Sequence, residues 1–126
     1  MIGREAHGVN GSDTDKLDFG TSSHNIRSKR VELKGAIDME TAPALREKLK
    51  DVIAKKPQVI IINLAQVTRM DSAGVAVLVE AIQWARKEKL ILSLQEVSDA
   101  ACQMLQMARV DKLFQVSGNN YLPPAK

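Results

Sequence analysis

The segment Met70-Asp71-Ser72-Ala73-Gly74 holds the residues whose types and order could do chemistry. An aspartate ahead of an apolar helical pattern marks a helix start. Asp71 would accept hydrogen bonds from the N–H groups of the first turn, and Ser72 would take the first helical position. In that reading Ala73 and Gly74 only permit close packing. A second reading of the same residues is available. No turn precedes the first helical position, so the Ser72 hydroxyl lies open to solvent. A phosphate there is tolerated by the fold, because free N–H groups and the positive dipole end favour anions. It would add about −1.5 to −2 charges at neutral pH. These would stand beside Asp71, and beside Asp38 if its loop lies at the same sheet edge. A partner fitted to the neutral surface would then meet a bulky, solvated anion. A loss of roughly 3 kcal/mol would lower affinity about a hundredfold.

Catalytic patterns are missing. Ser72 has no histidine base, since His7 and His24 both lie in a polar leading segment. The Gly-x-Ser-x-Gly elbow is absent. So are the Walker-type loop and Gly-x-Gly-x-x-Gly, which argues against nucleotide hydrolysis. Asp38 and Asp71 could form a carboxylate pair, but a loop aspartate and a helix cap are more often structural. The expectation is a protein that is not an enzyme and uses no cofactor.

Composition sets further bounds. The chain has 126 residues, 44% hydrophobic and 26% charged, which suits one globular domain without metals or disulfides. Aromatics make up only 3%, so the core must be aliphatic and base-stacking platforms are disfavoured. The net charge of +3 is spread along the chain, and no groove-reading motif accompanies it, so direct nucleic-acid binding is not expected. Lys55, Lys56, Arg86, Lys87 and Lys89 fall where helices should end, a placement the helix dipole favours. Cys102 is the only cysteine, so neither an intramolecular disulfide nor a cysteine-cluster metal site can form. No stretch approaches the roughly 20 apolar residues that span a bilayer, nor is there an apolar signal-peptide core. Membrane insertion is therefore not expected, and the default location is cytoplasmic.

The elements that must position Ser72 can be read in order. Residues 1–25 are rich in Gly, Ser, Asp and Asn and read as a flexible or partly disordered leader, with 16–20 as a short edge strand at most. Lys29 to Lys34 alternate as in a half-buried strand, which Gly35 should end. A loop, 36–40, leads to Thr41 as a helix cap, with Pro43 in the first turn. Ala42, Leu45, Leu49, Val52 and Ile53 share one helical face, and Pro57 stops the helix. Val59-Ile60-Ile61-Ile62 reads as a strand buried on both faces, followed by a loop, 65–70. The second helix runs from Asp71 to about Lys89, then a strand starts at Leu90. Ser98 or Asp99 caps a third helix, and Leu113 to Val116 suggest a last strand. The pattern predicts an α/β domain over 26–117, with a mixed, mostly parallel sheet of four to five strands and three to four helices. Residues 118–126 read as a flexible tail.

Taken together, Leu33-Lys34-Gly35-Ala36-Ile37-Asp38, Thr41-Ala42, Ile60-Ile61-Ile62-Asn63-Leu64, Val67 and Met70-Asp71-Ser72-Ala73-Gly74 resemble the STAS domain family. Arg109-Val110-Asp111-Lys112-Leu113-Phe114 fits as well, so the resemblance covers roughly residues 28–116. It implies an anti-sigma factor antagonist. Such a protein binds an anti-sigma factor that is also a serine kinase, frees the sigma factor, and is released by phosphorylation at Ser72. A serine phosphatase is a further candidate partner. The implied binding face comprises Asp38, Met39, Thr41, Met70, Asp71, Ser72, Gly74 and Val75, with Met39 and Met70 exposed for adaptable contacts. The alternative is a STAS adaptor subunit of an ABC-type lipid transport complex; Ser72 in place of threonine tilts toward the sigma branch. Two departures concern the ends. Residues 16–28 lack the apolar pattern of the family's opening hairpin, and 117–126 supply no closing amphipathic helix.

Overall fold

A computed structural model describes residues 18–25 and 28–123. Its elements are strand β1 (Asp18–Asn25), β2 (Ser28–Ile37), helix α1 (Ala42–Ala54), β3 (Val59–Met70), α2 (Ser72–Lys87), β4 (Ile91–Gln95), α3 (Asp99–Met107), a single 3-10 turn (Val110–Leu113), β5 (Gln115–Ser117) and β6 (Asn120–Leu122). The strands form one sheet in the order β1-β2-β3-β4-β6-β5. The centre, β2-β3-β4, is parallel and the flanks are antiparallel. This is the expected mixed α/β fold, and the three-residue strands β5 and β6 bring the strand count among the described residues to six.

Two strands outrun their sequence signals. Gly35, expected to end β2, instead sits inside it with φ of 105°. The register slips between Glu32 and Lys34 and again between Gly35 and Ala36, the mark of bulges. Glycine alone takes that φ without strain. The bulges let β2 run on to Ile37, and β3 follows it to Met70 across the segment 65–70 expected as a loop. The bulges also explain why that segment hides from a period-2 reading. From Leu64 onward the buried residues are Leu64, Val67 and Met70, three apart rather than two.

Ile60 and Ile62 are fully buried, aligned with Leu92 and Leu94 and packed in one aliphatic cluster with Leu45 and Leu49 of α1 and Leu78 and Ile82 of α2. Val59 and Ile61 point the other way and are only partly buried, and Ile91 in their face is 47% exposed. The Ile run is therefore not buried on both faces. Outward positions that happen to be β-branched masked the alternation.

At both ends the sheet passes the expected limits of 26–117. Residues 18–25, placed in the leader, form β1 and pair antiparallel with β2, completing an opening hairpin. Residues 1–17 lie outside the described residues. In the expected tail, β6 pairs with β4 at Leu94↔Tyr121, and Tyr121 is fully buried, edge-to-face with Phe114 at 5.8 Å. A single aromatic among Asn119, Asn120 and two prolines carried this anchor, too little for a pattern. No closing helix follows among the described residues. Replacing Tyr121 by alanine should cost about 3–5 kcal/mol, visible as a lower urea midpoint with an unchanged m-value.

Candidate functional site

The end of β2 and the start of α2 are joined by direct backbone contact. Asp71 N–H donates to the Ile37 carbonyl at 3.1 Å. Gly74, one turn on, presses against the same residue. A Cβ at Gly74 would sit 2.6 Å from Ile37 Cγ2 and 2.9 Å from the Ile37 carbonyl oxygen. Only glycine fits, so the small residue of the motif is a packing requirement.

Asp71 caps α2 as expected. Its backbone is extended, and its Oδ1 accepts from Ala73 N–H at 2.9 Å and Gly74 N–H at 3.3 Å. Ser72 is the first helical residue and is exposed. Those two N–H groups are thus already taken and are not free for an anion on Ser72. What remains there for a phosphate is the dipole end and solvent.

Arg69, which the sequence reading passed over, pairs with the loop after β2. Its Nη2 donates to Asp38 Oδ2 at 3.2 Å. The signal for it was a basic residue two positions before the capping aspartate, legible only once β3 is known to reach Met70. The other carboxylate oxygen of Asp38, Oδ1, accepts from Glu40 N–H at 2.9 Å and Thr41 N–H at 3.1 Å. Thr41 does not cap α1 with its side chain. Its backbone is already helical, which turns the hydroxyl back toward β2. There it donates to the Ala36 carbonyl at 2.9 Å and accepts from Asp38 N–H at 2.9 Å. The loop 38–41 is thereby a closed network. The Thr41 backbone N–H, more than any other contact, holds the Asp38 carboxyl below its ordinary value of 3.8; burial opposes this, and Arg69 and the Glu40 N–H add to it.

Asp38, Thr41, Asp71 and Ser72 therefore meet at one end of the sheet, with Met39 projecting at 76% exposure. Met70 is not exposed as expected. It is 7% accessible, because β3 stays paired to its last residue and turns that side chain into the core. Gly74 and Val75 are buried too, so these three shape the surface from beneath. No three His, Cys, Asp or Glu side chains cluster as metal ligands among the described residues. No helix among them is long and apolar enough to cross a membrane.

With this geometry in view, known proteins can be compared. Residues 21–116 match the family described as "Mlab, STAS domain". The chain belongs to the STAS domain family. It is similar to the anti-sigma-B factor antagonist of Listeria monocytogenes, with 31% identity over 106 residues, 84% of this chain and 75% of that one. The anti-sigma-B factor antagonist of Bacillus subtilis shows 29% identity over 96 residues, 76% of this chain and 87% of the relative. Among solved structures, an anti-sigma factor antagonist from Mycobacterium paratuberculosis superposes with a TM-score of 0.66 at 25% identity, covering 82% of this chain and 87% of that one.

Two predictions follow from the geometry. Gly74→Ala should force the Ile37 backbone away and destabilise the protein by about 1–3 kcal/mol, measurable by thermal unfolding. Asp38 should titrate below 3.8 in a carboxyl-carbon NMR experiment. Because the folded value is the lower one, its contribution to stability is present above the unfolded value and is lost as pH falls through the folded value. The loop should accordingly hold at neutral pH and loosen only in the acid range below about pH 4.

Proposed function

We propose that this chain is an anti-sigma factor antagonist whose binding end is switched by phosphorylation of Ser72. The observation that carries the reading is the exposed hydroxyl at the first position of α2, set beside the hydrogen-bonded loop of Asp38. The relatives' names support the class. The partner is an anti-sigma factor that is also a serine kinase, and a serine phosphatase would restore the free hydroxyl. The chain itself is a regulator without catalytic chemistry, acting in the cytoplasm on proteins rather than on nucleic acid or lipid.

Unphosphorylated, the end offers Met39 as an adaptable apolar contact and Asp38, Thr41 and Ser72 as a fixed polar set. The phosphate would bring about −1.5 to −2 charges next to the Asp71 carboxylate without breaking any contact described above. The domain stays folded, and the docking surface is what changes. The adaptor reading has less behind it, since the named relatives are antagonists.

The test is direct. With a cognate anti-sigma kinase and ATP, intact-mass spectrometry should show one added phosphate, absent in Ser72→Ala. Ser72→Asp should weaken kinase binding by up to about a hundredfold, roughly 3 kcal/mol, while Ser72→Ala binds as the parent does. Equal affinities for the two variants, or an unchanged mass with active kinase, would sink the proposal.

A further inference from the structure

At the opposite end of α2 lies a second feature that the switch does not use. The helix runs about 22 Å from Ser72 to Lys87, and where it ends beside the end of α1 there is an open crevice of about 250 Å³. Its apolar lining comes from Ile53 and Ala54 of α1 and Trp84 of α2; Lys50, Lys56, Lys87 and Glu88 complete the wall. Trp84 is the only tryptophan of the chain. Unlike the buried aromatics Phe114 and Tyr121, it is left partly exposed.

The charges are unbalanced. Lys56 Nζ lies 3.5 Å from Glu88 Oε1, bridging the ends of the two helices. Among the described residues Lys50 and Lys87 have no acidic partner there, so the lining sets three ammonium groups against one carboxylate. The helix dipole accounts for Lys87, which lies in the last turn of α2. It does not account for Lys50, because the last turn of α1 holds no basic residue. Lys56 adds a further oddity: it follows the helix with φ of 51°, a conformation for which glycine is the usual choice.

We propose that this crevice binds a small amphipathic organic anion, with its apolar body against Trp84, Ile53 and Ala54 and its carboxylate or phosphate between Lys50 and Lys87. Indole and aliphatic carbon supply the apolar contact, and paired ammonium groups supply the orienting charge. The volume falls below the roughly 300–1,000 Å³ of drug-sized sites, so the ligand is short. The site stands apart from Ser72 and does not depend on the switch reading.

Octanoate is a suitable probe, with octanol as its uncharged counterpart and Trp84 fluorescence as the readout on the full chain. Octanoate should shift the emission saturably, and octanol at least tenfold more weakly. Lys50→Glu combined with Lys87→Glu should weaken octanoate about tenfold or more, and Ala54→Leu, which adds bulk to the apolar lining without touching charge, should weaken it as well. Circular dichroism checks that both variants keep the fold. Ser72→Asp should bind octanoate as the parent does. The proposal is overturned by an absent or non-saturable octanoate response, by equal responses to octanol, or by a charge-reversed variant that binds unchanged. A response to phosphatidylglycerol vesicles with none to free octanoate would also overturn it, making this end a membrane-docking surface instead.

Discussion

The contact between Ile37 and the first turn of α2 is the constraint on which the rest of this molecule hangs. One carbonyl accepts the Asp71 N–H, and one side chain lies against the bare Cα of Gly74. Because strand end and helix start touch there, the loop after β2 and the hydroxyl of Ser72 belong to a single rigid end. The bulges around Gly35 serve this contact. The extra residues that β3 carries opposite Glu32–Lys34 and Gly35–Ala36 accompany a pairing that continues to Ile37 and Met70, next to the start of α2. Gly35, at φ of 105°, supplies the backbone conformation beside the second of these bulges.

How much of this the amino-acid order discloses depends on which force does the positioning. The helices were legible because each buries one stripe against a single layer of sheet, and the 3.6-residue period survives in Leu45, Leu49, Leu78 and Ile82. The capping role of Asp71 was legible because capping is local. Other features were set by tertiary pairing and left no periodic trace. The second half of β3 shows burial at every third residue, because the extra residues it carries at two bulges break the alternation. Tyr121 closes the sheet as one buried ring in a polar stretch. Thr41 carries a capping residue's side chain yet spends it on β2, because its backbone has already entered the helical region.

The candidate site divides in the same way. Ser72 and Asp71 follow from local rules, and the position of Asp38 follows from the order of elements. Arg69 does not, because its partner lies 31 residues away in sequence and the two meet only through the paired ends of β2 and β3. Met70 shows the reverse error. Its neighbours mark it as part of an exposed motif, but the strand's last turn of the pleat takes it inward. Residues adjacent in a motif can thus differ wholly in role, one presenting chemistry and the next holding the floor beneath it.

Ser98 illustrates a different requirement of such a surface. Strand β4 stops pairing at Gln95, opposite Asn63, so the remaining half of β3 would present a row of unpaired carbonyls on that side. Ser98 covers them, with its N–H to the Leu64 carbonyl at 3.3 Å and its hydroxyl to the Val67 carbonyl at 2.7 Å, while the same oxygen caps α3 through Ala101 N–H. An open strand edge is a template for pairing with another chain. By spending one residue on two carbonyls, one met by its N–H and one by its hydroxyl, the fold blunts that edge next to the very end it keeps exposed. The surface can stay open to reversible recognition without inviting the irreversible strand addition that leads to aggregates.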